Sequence, residues 1–254
     1  MTIFIFFLVF IGIAGGLSWF LLFHDHGERE PIGALWLALG FGAVGALMAL
    51  FLERSLLGVS SAMPKELHKL AWATLGIGVI EEACKFLPLA FYIYKKRYFN
   101  ENTDGVVYFA LAGLGFGVPE NILYTIQFGT GTGMTRLFLT PFFHAATTAM
   151  IGYFLAKGKV NNRSAFWVII PLVFMMVAHA LYNFGLSSDK PILIGMSVAI
   201  TLMLSGGLFV LFLRANENDQ DRGLSSVGHN SFCRSCGAPN PKHHLYCTDC
   251  GKNA

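Results

Sequence analysis

Seven apolar runs of about 20 residues divide most of this chain, and they restrict its fold more than any other feature. A helix needs about 20 mostly apolar residues to cross the hydrocarbon core of a bilayer, which is about 30 Å thick. The runs lie at residues 2–23, 32–52, 70–94, 105–128, 137–156, 165–186 and 191–213. We therefore expect an all-α polytopic membrane protein, a bundle of about seven transmembrane helices.

The composition excludes several other classes of protein. Only 13% of the 254 residues are charged, whereas a typical soluble domain has about 25%. This argues against a soluble enzyme and against a disordered chain. The formal net charge of +3 is too small to indicate a nucleic-acid partner, and we expect none. The first run lacks a preceding Lys or Arg and a small-residue cleavage site, which favours a retained span over a signal peptide.

Basic residues in the connecting loops predict the orientation, because cytoplasmic loops carry an excess of Lys and Arg. Eight lie on one side of the membrane, namely Arg29, Lys95, Lys96, Arg97, Lys157, Lys159, Arg163 and Arg214. Five lie on the other side, namely Arg54, Lys65, Lys69, Arg136 and Lys190. We therefore place this multi-pass protein in the cell membrane with its N-terminus outside and its C-terminus in the cytoplasm.

The chain changes character after residue 213. Residues 1–213 form the expected transmembrane domain, residues 214–232 have the polar, aperiodic composition of a flexible linker, and residues 233–254 form a separate module. That module contains Cys233-x-x-Cys236-Gly and Cys247-x-x-Cys250-Gly, the spacing of a four-cysteine zinc ribbon.

We expect the ribbon zinc to be structural, since four thiolates leave no open position for a substrate. Two disulfides are the alternative, which a reducing cytoplasm disfavours. The module is expected to bind a protein partner or to regulate the transmembrane domain.

Six ionisable side chains interrupt the apolar runs in mid-span. Ionisable groups within a membrane are costly and are functional candidates by default. They are Glu81, Glu82 and Lys85 in the third run, Glu120 in the fourth, His144 in the fifth and His179 in the sixth. With alternate helices antiparallel and a rise of about 1.5 Å per residue, the acids and imidazoles fall in one layer in the outer half of the bilayer.

The spacing of these residues predicts which of them lie on the same helix face. Glu81 and Lys85 are one helical turn apart with the acid first, while Glu82 is turned by about 100° from Glu81. Lys85 would keep one carboxylate ionised while the other acts as a base, and mutual neutralisation of Glu81 and Lys85 is the alternative. Asn183 lies one turn beyond His179 and offers an amide donor on the same face.

Carboxylates and imidazoles at one depth fit two hydrolytic mechanisms. One uses a zinc-type ion to activate water, and the other uses a Glu without metal while His and Asn stabilise the oxyanion. A proton- or cation-coupled transporter is an alternative from another class, although the chain has no convincing internal repeat. A zinc-ribbon scaffold without chemistry would leave the buried ionisable groups unexplained.

Four motifs on successive runs resemble the motif series of the PrsW family of intramembrane proteases, which is distantly related to the CAAX-prenyl proteases and bacteriocin-processing enzymes. They are Glu81-Glu82-Ala83-Cys84-Lys85, Phe116-Gly117-Val118-Pro119-Glu120-Asn121, His144 with Thr148, and His179-Ala180-Leu181-Tyr182-Asn183. The resemblance covers roughly residues 30–213. It implies a multi-pass peptidase, usually classed as a metallopeptidase, whose best-known members make the first, outer-side cut in a membrane-anchored anti-sigma factor.

The resemblance also implies roles for individual residues. Glu81 and Glu82 take the essential acidic pair. The remaining catalytic or metal-binding positions are Glu120, His144 and His179. The supporting motif positions are Lys85, Phe116 and Asn121. The second motif of the wider clan usually ends in His, where this chain has Glu120, so the metal-free glutamate mechanism does not transfer directly. The ribbon lies outside the family core.

We therefore expect an intramembrane endopeptidase that acts on a membrane-anchored protein, possessing a structural zinc in the ribbon and a catalytic zinc in the membrane domain. Glu82 or Glu81 would be the general base to a water polarised by the metal. The expected metal ligands are His144, His179 and Glu120, and Asn183 would help to stabilise the oxyanion. Expected partners are membrane lipid, the protein substrate and a protein that binds the ribbon.

Overall fold

Seven α-helices build the membrane domain in the computed structural model, which describes residues 2–58, 63–188, 190–221, 231–232, 239–240, 247 and 250. The helices are α1 (Thr2–Phe23), α2 (Ile32–Leu56), α3 (Leu67–Phe91), α4 (Asn102–Phe128), α5 (Thr130–Val160), α6 (Ile169–Ser187) and α7 (Pro191–Asp221). Short 3₁₀ helices at Ile93–Lys95 and Ala165–Val168 follow α3 and precede α6. Each of the seven predicted apolar runs coincides with one α-helix, which confirms the all-α polytopic fold.

Five helices are long and apolar enough to cross a membrane when the described residues are searched by length and composition. They comprise Phe4–Phe23, Ile32–Leu56, Asn102–Phe128, Phe166–Ser187 and Pro191–Asp221. The other two, α3 and α5, have 25 and 31 residues and are long enough, but they carry more polar groups. Glu81, Glu82 and Lys85 lie on α3, and Arg136 and His144 lie on α5. These five polar residues, which make the two helices less apolar, lie at the candidate site.

Bulky apolar side chains cover the outside of the bundle. Trp36, Trp72, Phe174 and Met203 are each at least 63% exposed. In water such a surface would be an aggregation hazard, whereas lipid tails solvate it. The exposed residues therefore support a bundle surrounded by lipid.

Helix α4 lies at the centre of the bundle, and every residue from Asn102 to Gly117 is buried. Two glycines let the helices that carry the polar residues approach closely. A Cβ on Gly113 of α4 would clash with the carbonyl oxygen of His144 on α5. A Cβ on Gly78 of α3 would lie 2.6 Å from the carbonyl oxygen of Met176 on α6. These two contacts bring α5 to α4 and α6 to α3 at the depth of the mid-span acids and histidines.

The far end of α7 holds the first turn of α4. The Asp219 carboxylate accepts hydrogen bonds from the backbone N–H of Asn102 (3.0 Å), the backbone N–H of Thr103 (2.9 Å) and the Thr103 hydroxyl (3.0 Å). Asn216 of α7 similarly accepts a bond from the backbone N–H of His26 at 2.9 Å. Helix α7 therefore continues through residues 214–221, which their polar composition assigned to the linker, because these polar side chains satisfy backbone donors of neighbouring segments.

The described residues near the C-terminal module include a short antiparallel pair of strands, β1 (Ser231–Phe232) and β2 (Pro239–Asn240), with β1 at the end of the predicted linker. The strands lie on either side of the first cysteine pair in the sequence. Cys233 and Cys236 themselves lie outside the described residues, while Cys247 is buried and Cys250 is exposed. The four-cysteine zinc site therefore stays a prediction.

We expect Asp219→Asn to lower the free energy of unfolding by about 1–2 kcal/mol, because it weakens the cap on α4. Thermal or denaturant unfolding of the full chain in detergent measures this. Asp221→Asn is the matched control, since it makes the same change at an exposed position on the same helix. Equal stability of the two variants would show that the cap contributes nothing.

Candidate active site

One oxygen of Glu82 joins three helices. Glu82 Oε1 accepts hydrogen bonds from Lys85 Nζ of α3 (2.9 Å), His179 Nδ1 of α6 (2.7 Å) and Thr147 Oγ1 of α5 (3.1 Å). All four side chains are at most 1% exposed. A carboxylate withdrawn this far from water is tolerated only when charged and polar donors satisfy it, which is the case here.

His144 lies between a cation and an acid. Lys85 Nζ is 2.8 Å from His144 Nδ1, and Glu120 Oε2 is 2.6 Å from His144 Nε2. An ammonium group can only donate, so Nδ1 is the acceptor and the Nε2–H donates to Glu120. A continuous chain of hydrogen bonds thus runs from Glu120 through His144, Lys85 and Glu82 to His179.

Glu81 is held more loosely than Glu82. Its Oε2 lies 3.4 Å from His179 Nε2 and 3.8 Å from Lys85 Nζ. Within the described part of the chain, Oε2 of Glu81 and Oε2 of Glu82 are buried without a hydrogen-bond partner. Buried acceptors of this kind are uncommon, and they indicate room for a further donor or a cation.

A cavity of about 1040 Å³ reaches this cluster from one end of the bundle. It is bordered by the α2–α3 connection and by the α6–α7 connection near Ser188. Glu53 of α2, Glu81 of α3 and Glu120 of α4 line its wall, together with apolar side chains. Glu82 lies behind this wall at 0% exposure, so the adjacent carboxylates of α3 occupy different environments.

The donor set fits a metal ion. Among the described residues, Glu81, His144 and His179 form a group in which one ligand atom from each lies within 4.8 Å of the others. Two imidazoles and a carboxylate are a common ligand set of catalytic zinc. His179 also donates its Nδ1 proton to Glu82, the kind of outer contact that orients a metal-binding imidazole.

This group contains Glu81 where the expected ligand set has Glu120. The reason lies in the partners of Glu120, whose two oxygens accept bonds from Arg136 and His144. Arg136 has no place among the expected site residues, because its position beside the fifth run made it a loop cation. It is 5% exposed, and it lies about two turns before His144 on α5.

The supporting residues have separate positions. The ring of Phe116 lies under Lys85, with Nζ 4.4 Å from the ring centroid. Asn121 accepts a bond from Arg136 Nε at 3.0 Å. Asn183 is buried one turn beyond His179, and it is not part of the hydrogen-bond chain described above. Glu53 of α2 and Thr147 of α5 are further polar groups at the site, which the sequence analysis did not predict. Nothing in the sequence pattern distinguished them from other polar residues of these helices.

Charge balance distinguishes this cluster from an ordinary ion pair. Three carboxylates, Glu81, Glu82 and Glu120, meet two cations, Lys85 and Arg136. Mutual neutralisation of Glu81 and Lys85 therefore does not account for the arrangement, since Lys85 lies closer to Glu82 than to Glu81. The excess of negative charge next to the cavity favours a bound cation or a proton there.

Comparison with known proteins gives one consistent family. The family model described as PrsW family intramembrane metalloprotease matches residues 30–212. The chain is 29% identical over 185 residues to Protease PrsW of Bacillus subtilis (strain 168), covering 70% of this chain and 81% of that protein. It is 30% identical over 215 residues to Protease PrsW of Oceanobacillus iheyensis, covering 82% and 95%. The match to Protease PrsW of Clostridioides difficile (strain 630) is 24% over 188 residues, covering 71% and 78%. No solved structure matches.

Proposed function

The chain belongs to the PrsW family of intramembrane proteases and is a membrane-embedded peptidase, and we propose that it hydrolyses a peptide bond of a membrane-anchored protein beside Glu81. The observation that supports this site is the cavity of about 1040 Å³, which gives a chain segment and water access to Glu81 and Glu120. A transporter that uses these groups as a relay is not favoured, since the relatives are proteases.

Glu81 receives the proton of the attacking water in this proposal. It lines the cavity, and its Oε2 has no hydrogen-bond partner among the described residues. Glu82 instead orients His179, because its Oε1 already accepts three bonds and the side chain is fully buried. Asn183 is the proposed donor to the oxyanion, one turn beyond His179.

Glu81, His144 and His179 would hold a divalent metal ion, as the family description metalloprotease suggests. His144 would offer the Nδ1 lone pair, which in this arrangement accepts a bond from Lys85. Such an ion makes a bound water a stronger acid and polarises a carbonyl group. The hydrogen bond to Glu82 keeps the proton of His179 on Nδ1, and the unprotonated Nε2 faces Glu81. A carboxylate has two oxygens, so Glu81 would help to hold the ion with one and would accept the proton with the other.

The cavity lies at the extracytoplasmic end of the bundle in the proposed orientation. The buried position of Arg136 removes it from the loop cations, which leaves Arg54, Lys65, Lys69 and Lys190 on the cavity side against the eight on the opposite side. The α1–α2 connection and the C-terminal module would then be cytoplasmic. A single cysteine introduced at Arg29 tests this orientation. We expect an impermeant reagent to label it only after the cells are opened, whereas labelling in intact cells would show the opposite orientation.

A regulatory membrane protein of the anti-sigma type is the proposed substrate, cut on the extracytoplasmic side. The C-terminal module is proposed to be a zinc ribbon with a structural zinc on Cys233, Cys236, Cys247 and Cys250 that binds a protein partner. The antiparallel pairing of Ser231–Phe232 with Pro239–Asn240 supports this, because the two strands lie on either side of the first cysteine pair in the sequence.

We expect Glu81→Gln to reduce cleavage of a tagged single-span substrate by about 100- to 10,000-fold, since it removes the proton acceptor. Glu82→Gln is expected to reduce cleavage strongly because it disrupts the orientation of the His179 imidazole, and His179→Ala because it removes that imidazole. The rate is measured from the substrate's product bands, with the full-length protein and the substrate in liposomes. Glu66→Gln is the matched control at an exposed position before α3. Unimpaired cleavage by all three site variants would falsify the proposed site.

Metal content separates the two hydrolytic mechanisms. We expect the full chain to contain about two metal ions, and the chain with all four ribbon cysteines replaced by Ser to retain about one. His144→Ala or His179→Ala in that background is expected to abolish the remaining ion, as measured by elemental mass spectrometry. No metal in the chain without the four ribbon cysteines would instead favour metal-free activation of water by Glu81.

A further inference from the structure

Arg136 makes all of its described bonds to one face of α4. Its Nη2 donates to Glu120 Oε1, and its Nε donates to Asn121 Oδ1 at 3.0 Å. The guanidinium also lies over the ring of Tyr124, with Cζ 3.9 Å from the centroid. Glu120, Asn121 and Tyr124 are neighbours on a helix, so these contacts fix both the position and the plane of the guanidinium.

The Glu120 carboxylate is shared between Arg136 and His144. Arg136 binds Oε1, and His144 Nε2 lies 2.6 Å from Oε2. A carboxylate held in this way has a fixed orientation. The hydrogen bond made by one ring nitrogen of a histidine determines which nitrogen carries the proton. The tautomer of His144 is therefore set by Glu120 at Nε2 together with Lys85 at Nδ1, and the orientation of Glu120 depends on Arg136.

We propose that Arg136 is a positioning residue, which holds Glu120 so that His144 keeps its proton on Nε2 and its lone pair on Nδ1. Arg136 itself does not line the cavity, so it acts on the reaction through Glu120 and His144. Its importance for cleavage rests on the proposed function, whereas its effect on the His144 ring does not.

A plain structural ion pair is the competing explanation for Arg136. Such a pair would serve to join α4 to α5, and any cation that reached Glu120 would do. The observed contacts require more, because a Lys cannot bind Glu120 and Asn121 through a planar fork while lying flat on Tyr124. The two explanations differ in whether the loss of Arg136 changes the imidazole of His144.

Nitrogen-15 NMR of the full-length protein in liposomes with chelator tests this directly. We expect His144 in the wild type to have a protonated Nε2 and an unprotonated Nδ1, with the signal assigned by its loss in His144→Gln. Arg136→Gln and Glu120→Gln are both expected to shift the His144 population away from this tautomer. Arg163→Gln, an exposed Arg that stacks on Trp167, is the matched control. An unchanged His144 tautomer in Arg136→Gln would overturn the proposal.

Cleavage of the tagged single-span substrate adds a second readout. We expect Arg136→Gln to reduce the rate by about 10- to 100-fold, as for other residues that orient a metal-binding imidazole. The double variant Arg136→Gln/Glu120→Gln should be no slower than Glu120→Gln alone, because Arg136 acts through Glu120. Multiplicative losses in the double variant, or a rate of Arg136→Gln within twofold of wild type, would contradict this pathway.

Arg136→Lys guards against a failure to fold. It keeps a positive charge beside Glu120 but has no planar fork, so it is expected to fold and still to shift the His144 tautomer and lower the rate. A native tautomer and a native rate in Arg136→Lys would contradict the role of the planar fork. If the wild type cleaves no substrate but Arg136→Gln changes His144, the proposed function fails while the positioning of His144 stands.

Discussion

The carboxylate of Glu82 has to be satisfied inside the membrane, and its partners determine how three helices meet. Lys85, Thr147 and His179 approach the same oxygen from α3, α5 and α6. Lipid offers no water to replace a missing partner, and removing one member of a buried ion pair typically costs about 3–5 kcal/mol. The same contacts therefore hold the bundle together and orient the imidazole of His179.

The adjacent acids Glu81 and Glu82 have different roles because one faces the cavity and the other faces the packed interior of the bundle. Glu82 lies among donors in the interior, and Glu81 lies on the cavity wall with an unpartnered oxygen. Close helix crossings at Gly78 and Gly113 make this separation possible, since they bring the backbones of α6 and α5 against α3 and α4. Water needs to enter only as far as the wall, while the supporting network remains dry.

Helix α4 connects the two ends of the molecule. Its first turn is capped by Asp219 of α7, and Glu120 lies 17 residues after Thr103, about 26 Å along the helix axis. The chain that leads to the C-terminal module therefore leaves from a helix that is anchored directly to the start of α4. This anchoring depends on polar residues whose composition looked like that of a linker.

The residues themselves were sufficient to predict seven helices, their approximate bounds and the set of polar side chains within the apolar runs, because hydrophobic run length and helical period are local properties. The family followed from four short motifs and was confirmed by comparison. Partner choice was beyond local reasoning: spacing paired Lys85 with Glu81, whereas packing places Lys85 closer to Glu82 and beside His144. Folding likewise moved Arg136 from an apparent loop to the interior and brought Glu81, rather than Glu120, into the group with His144 and His179. Each of these differences involves helices far apart in sequence, whose rotation and crossing are fixed by tertiary packing.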